Sequence, residues 1–242
     1  MKRKRICRKK EIEILRSGGK ILAKIIEKLK KEVRPGITTE YLDKLAEEFV
    51  SSFGARKEKE MFCTSVNEEI AHVPPSNRKL KAGDILSLDL AIKFKGYYTD
   101  MAITVPVGKI DEKTKKLLEI TKEALELGIK QAKPGNRIGD IGYAIQKYVE
   151  KNGFAVIKEL TGHGIGKEVH EKPWVPNYGK PGMGLKLKEG MILAIEPLVA
   201  TGKGRIKNTE DGGYKTADNS LSCHFEHTIV ITNEGPDILT KI

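Results

Sequence analysis

Five residues of metal-ligand type, Asp89, Asp100, His163, Glu196 and Glu226, hold the chemistry of this chain, and four of them stand in a sequence that repeats itself. The run Leu80-Lys81-Ala82-Gly83-Asp84-Ile85-Leu86-Ser87-Leu88-Asp89 is echoed by Leu187-Lys188-Glu189-Gly190-Met191-Ile192-Leu193-Ala194-Ile195-Glu196, which sets Asp89 against Glu196. Thr99-Asp100-Met101-Ala102-Ile103-Thr104-Val105 is matched by Phe225-Glu226-His227-Thr228-Ile229-Val230-Ile231, which sets Asp100 against Glu226. Each half therefore brings two carboxylates.

These acids lie in strand-like text. Period-2 alternation puts Leu86, Leu88 and Leu90 on one face and Ile85, Ser87 and Asp89 on the other, and Leu193 and Ile195 oppose Ala194 and Glu196 in the same way. An ionised carboxylate on a half-buried strand costs several kcal/mol unless it is paired or holds a cation. Any one of these acids alone reads as a solvated edge-strand residue, because charged side chains are seldom buried without a partner. Four in repeated slots do not. Carboxylate oxygens plus one imidazole suit Mn, Fe, Co or Zn, and one or two such cations would compensate the cluster.

The elements that must position these residues repeat as well. Pro35-Gly36 ahead of a helical pattern is answered by Pro134-Gly135, and Glu69-Ile70-Ala71-His72 by Lys167-Glu168-Val169-His170. The offsets grow from 99 for the prolines and 98 for the histidines to 107 and 126 for the two acid pairs, so insertions collect in the second half. A twofold duplication is not a solenoid array, which needs three or more short repeats. The pattern predicts helices over 10–33, 38–53, 111–132 and 137–152. Strands are expected near 61–66, 84–93, 97–107, 154–160, 168–171, 191–201 and 222–232. The class is α+β with a mainly antiparallel sheet, in one domain made of two halves around a shared site.

At 242 residues and 39% hydrophobic content the chain can bury a substantial core. It has no apolar run of the ~18 residues a transmembrane helix needs, and no apolar segment follows the basic N-terminus as in a secretory signal. Three scattered cysteines argue against a disulfide framework. Cytoplasm is the expected location, without membrane association and as a monomer. Of the net charge of +11, seven basic residues fall within positions 2–10, leaving +4 for the rest. Residues 1–10 are thus read as a basic tail and 11–242 as the catalytic domain. The tail reads equally as a solvated run or as attraction to RNA, such as the ribosome's, through phosphate neutralisation.

The ordered set Cys63-Thr64-Ser65-Val66-Asn67-Glu68, His72, Asp89, Asp100, Thr161-Gly162-His163-Gly164-Ile165-Gly166, His170-Glu171-Lys172-Pro173, Ala194-Ile195-Glu196-Pro197 and Phe225-Glu226-His227-Thr228 closely resembles type I methionine aminopeptidase over nearly the whole chain after the tail. The resemblance implies a pita-bread fold, a curved antiparallel sheet flanked by two helix pairs with an internal pseudo-twofold. It also implies two divalent metal ions (Co, Mn, Fe or Zn). Asp89, Asp100 and Glu226 would hold one ion, and Asp100 and Glu226 would bridge to a second held also by His163 and Glu196. Glu196 would act as the proton acceptor, with His72 and His170 facing the substrate, the N-terminus of a nascent polypeptide with a small second residue.

Where this chain departs from the family, the substrate pocket is concerned. The aromatic- and glycine-rich stretch before the cysteine is here Gly54-Ala55-Arg56-Lys57-Glu58-Lys59-Glu60-Met61-Phe62, His72 is followed by Val73-Pro74-Pro75, and Gly213-Tyr214 stands in place of a tryptophan. Phe62 and Cys63 are the expected pocket wall, with Met61, Trp174 and Tyr214 as further apolar candidates against the plainer reading of core or loop packing. Two other functions compete with methionine removal. One is a related metallo-aminopeptidase or proline peptidase of altered first-residue preference, against which stands the lack of the N-terminal domain such relatives usually carry. The other is a non-catalytic ribosome- or RNA-binding relative, against which stand the intact ligand set and both histidines.

Overall fold

A computed structural model of the chain describes residues 6–58 and 60–242. Residues 1–5 of the basic run lie outside the described residues. The elements of the first half are α1 (Lys9–Glu32), α2 (Thr39–Ser52), β1 (Phe62–Val66), β2 (Glu69–Ala71), β3 (Ile85–Phe94) and β4 (Tyr97–Pro106). The second half holds α3 (Glu112–Gln131), α4 (Ile138–Lys151), β5 (Ala155–Val156), β6 (Thr161–Gly164), β7 (Glu171–Pro176), β8 (Ile192–Ile195), β9 (Leu198–Ala200), β10 (Ile206–Asn208), β11 (Tyr214–Thr216), β12 (Ser222–His224), β13 (Glu226–Thr232) and β14 (Gly235–Ile238). The central sheet runs β1-β3-β4-β13-β8-β6-β7, with β14 added on β13, and its pairings are antiparallel. Two three-stranded sheets, β10-β11-β2 and β12-β9-β5, lie beside it.

Burial follows the alternation of the strands. Leu86, Leu88, Leu90, Met101 and Val105 form a core with Leu22, Ile25, Ile26 and Leu29 of α1 and Leu42 and Val50 of α2. Leu193, Ile195, Ile229 and Ile231 do the same with α3 and α4 through Leu117, Leu125, Ile141 and Ile145. In α1 the buried positions recur at three- and four-residue spacing, which is why a strongly charged 24-residue segment still forms a docked helix. Thr38 caps α2 by accepting from the Tyr41 N–H, and Asp111 caps α3 by accepting from the Thr114 N–H. The helix pairs thus cover one face of the sheet and leave the other to the site, in the pita-bread arrangement.

The duplication is visible in the backbone. Gly36 and Gly135 have φ of 93° and 96°, and Gly83 and Gly190 have φ of 97° and 80°. The Gly36 N–H donates to Leu80 C=O as the Gly135 N–H donates to Leu187 C=O. Isolated bridges Thr38 to Lys79 and Arg137 to Lys186 close the same turn in each half. Only glycine takes these left-handed turns without strain.

Four expected strands come out differently, the run 154–160 shrinking to the two residues of β5. Residues 167–170 form bends, and the pairing strands are β6 and β7 on either side. β6, Thr-Gly-His-Gly, carries no alternation to read; its glycines are there because strands crowd it. A Cβ on Gly162 would lie 2.4 Å from the Ala194 carbonyl oxygen and one on Gly164 2.7 Å from that of Lys172. The expected run 191–201 breaks at Glu196 and Pro197, and 222–232 breaks at Phe225, just ahead of Glu226. Pro197, with no N–H to give a ladder, follows Glu196, and β9 and β12 on the far sides of the two breaks pair with each other in a second sheet.

Candidate metal centre and active site

Strand register brings the acids onto one face. Asp89 of β3 and Glu226 of β13 both stand opposite Ala102 of β4, so the three form a row across the sheet, and Asp100 is two residues from Ala102 on the same face. His163 of β6 pairs with Ala194 of β8, which pairs with Thr228, placing Glu196 and Glu226 each two residues from a second row. The small Ala91, Ala102 and Ala194 between the ligands leave the room a cation and substrate need. The seam between β4 and β13 is held by Thr228, whose hydroxyl accepts from the Asp100 N–H at 2.9 Å and donates to the Asp100 C=O at 2.8 Å.

The face opens into a cleft of about 890 Å³ lined by all five ligand-type residues together with His72 and His170. Single ligand atoms of Asp100, His163 and Glu226 lie within 4.8 Å of one another. Asp100, His163 and Glu226 are buried, while Asp89 and Glu196 are half-buried. Glu196 Oε1 is 3.4 Å from His163 Nε2. His163 Nδ1 lies 3.0 Å from the Gly164 C=O, a contact that keeps the proton on Nδ1 and leaves Nε2 a lone pair toward the cluster.

Without a cation the cluster is electrostatically frustrated. Loss of water raises the pKa of Asp89, Glu196 and Glu226 well above the ordinary carboxyl range, with the neighbouring carboxylates adding to it, and raises Asp100 to about 6. Burial pushes His163 down to about 4. Glu226 Oε1 is buried with no hydrogen-bond partner. Four carboxylates and one imidazole, with an orphaned buried oxygen among them, fit a divalent cation: hard oxygen donors and a borderline nitrogen.

His72 and His170 stand over the cluster. Their ring centroids are 6.5 Å apart, and His170 meets His163 edge-on at 4.5 Å. Both are exposed to the cleft, and partial loss of water lowers both pKa values, with His170 also lowering that of His72. His72 has φ of 59°, a left-handed conformation uncommon outside glycine. Cys63 and Met61 line the cleft, but Phe62, expected as pocket wall, borders it with its ring turned into the helix-side core beside Leu90, because alternation on β1 gives the site face to Cys63. Burial and the nearby Asp89 and Asp100 push the Cys63 thiol up, so it is a neutral wall and not a nucleophile. Tyr214 joins them, edge-on to His72 at 5.9 Å. Trp174 is instead 50% exposed on β7. Glu60 reaches the rim of the cleft, whereas Glu58 turns away to the hydroxyl of Tyr98. His224 also lines the cleft, a histidine that motif spacing did not single out.

The model of metallopeptidase family M24 matches residues 13–233. The chain is 46% identical over 246 residues to methionine aminopeptidase 1 of Bacillus subtilis, covering 98% of this chain and 99% of that protein. The crystal structure of methionine aminopeptidase from Thermotoga maritima superposes with a TM-score of 0.96 at 42% identity, covering 99% of this chain and all of that one. The enzyme of that name from Rickettsia prowazekii superposes at 0.97 and 36% identity, with the same coverage. With nearly the whole chain matched in sequence and in fold, the chain belongs to metallopeptidase family M24, among its methionine aminopeptidases.

Proposed function

We propose that this protein is a metal-dependent aminopeptidase that removes the N-terminal methionine of nascent polypeptides by hydrolysing the first peptide bond. The observation that carries this reading is the uncompensated cluster of four carboxylates and His163 at the floor of a cleft with two histidines above it. Asp89, Asp100 and Glu226 would hold one divalent ion, and His163 and Glu196 together with Asp100 and Glu226 would hold a second. Mn, Fe, Co and Zn all suit this donor set. Ions so bound polarise a carbonyl and bring the pKa of a water molecule toward neutrality.

The chain's own residues do the rest. A Glu196 carboxylate oxygen accepts the proton of the attacking water. A ring N–H of neutral His170 donates to the oxyanion that develops on the scissile carbonyl, and His72 orients the amide and receives the small second residue beside Val73 and Pro74. Cys63, Met61 and Tyr214 supply an apolar wall for the methionine side chain. A cytoplasmic setting fits the free cysteines at Cys7, Cys63 and Cys223. The basic run at 2–10 favours approach to the ribosome.

A panel of Xaa-Ala-Ser peptides tests the reading on cation-loaded protein. Methionine should give the highest kcat/KM, with norleucine or leucine tolerated, because one methylene in an apolar pocket discriminates by only ~1–3 kcal/mol. Preference for Lys, Arg or Pro would show that Glu60 faces the first residue and that the substrate class is different.

A further inference from the structure

His224 is buried in the wall of the cleft, and neither of its ring nitrogens has a hydrogen-bond partner. A neutral imidazole buried without either partner gives up its hydration for nothing in return, so such a ring in a native fold calls for an explanation. Its position is fixed. The Thr104 hydroxyl accepts from the His224 N–H at 2.9 Å and donates to the His224 C=O at 2.8 Å, and Thr104 is itself held by Ser87 at 2.8 Å. The same double clasp joins Thr228 to Asp100 across the seam, so the ring hangs from a backbone as firmly placed as that of a ligand. Its Nε2 points to Oε2 of Glu196 at 3.8 Å, while Oε1 of the same carboxylate faces His163 Nε2 at 3.4 Å. Glu196 is thus bracketed by two imidazoles, and its backbone carbonyl is tied down by the Asn177 side-chain amide at 2.9 Å. Among the described residues the close ligand trio is Asp100, His163 and Glu226, without His224.

We infer that His224 is a positioning residue, which donates its Nε2–H to Oε2 of Glu196 and so aims the other oxygen of that carboxylate at the cation held with His163. A small turn of the Glu196 carboxylate is all that separates the 3.8 Å contact from hydrogen-bond length, and it would satisfy an otherwise orphaned nitrogen. Groups that orient a metal-bound carboxylate in this way typically govern affinity by 10- to 100-fold. The inference rests on the metal-centre reading above.

The test uses the full chain and Mn²⁺ alone, titrated calorimetrically into metal-free protein. A glutamine amide can present its N–H where His Nε2 stands, whereas an asparagine amide reaches only as far as Nδ1. His224→Gln should retain wild-type Mn²⁺ affinity, and His224→Asn should weaken it by about 10- to 100-fold, with metal-free melting temperatures unchanged and kcat/KM rescued only by glutamine. Should His224→Asn not fold, His224→Leu, close in volume, takes its place and should weaken binding equally. Undiminished affinity in the asparagine or leucine variant overturns the inference, as does a glutamine variant as weak as asparagine. A wild-type protein that binds no Mn²⁺ overturns the metal-centre reading itself, so the two failures are distinct.

Discussion

At the scale of single residues, the four acids differ in what their loss does. Asp100 and Glu226 sit at the seam of the two halves and are buried, and each is assigned to both ions. Asp100→Asn or Glu226→Gln is therefore expected to lower Mn²⁺ binding and turnover more than loss of either cleft histidine, as elemental analysis and peptide hydrolysis would show. His170→Ala and His72→Ala should each reduce turnover by roughly 10²-fold with metal content intact, as for loss of a transition-state hydrogen bond or proton-transfer partner. Metal loss in the histidine variants would make them ligands instead. The acids were legible in the sequence because a duplicated slot turned four ordinary residues into a pattern. His224 was not, because the chain bends at Phe225 and puts β12 and β13 in different sheets, so that only the folded chain places its ring against Glu196.

Among the elements, those with strong periodicity were readable, and the four helices and the β3-β4 hairpin fall within two residues of their expected bounds. Short strands placed by partners rather than by their own alternation were not: β6 is held between β7 and β8 by backbone pairing, and β10, β11 and β14 are three- or four-residue additions. Close approach decides such places. Gly142 of α4 has no room for a side chain, since a Cβ there would lie 2.3 Å from the Tyr178 carbonyl oxygen and 2.5 Å from that of Pro176, both backbone atoms. Gly142→Ala should push α4 off the end of β7 and destabilise the protein by about 1–3 kcal/mol despite alanine's better helix propensity. Urea unfolding measures this, and a neutral or stabilising result would mean that α4 sits farther from the 176–178 segment.

For the molecule as a whole, the site couples folding to pH and to the cation. Carboxyl groups whose pKa is raised by folding stabilise the metal-free protein below their unfolded values, and that contribution is lost as pH rises, through about 6 for Asp100. Histidines held neutral by burial act with the opposite sign. His163 and His227 at about 4 and His224 at about 3 stabilise the fold above pH 6.5, and this contribution is lost as pH falls toward those values. A cation binds only the ionised carboxylates, so protons compete with it at low pH. The rise in melting temperature on adding Mn²⁺ should accordingly be larger at pH 8 than at pH 5.5; a larger rise at pH 5.5 would mean that the acids are not the binding groups. The measurement closest to the central claim is hydrolysis of a Met-Ala-Ser peptide by protein stripped with chelator, its metal content verified as nil, and then reconstituted with Mn²⁺, Co²⁺ or Fe²⁺. The account predicts no methionine release from the stripped protein and its return with the added ion, and undiminished release after complete metal removal would contradict it.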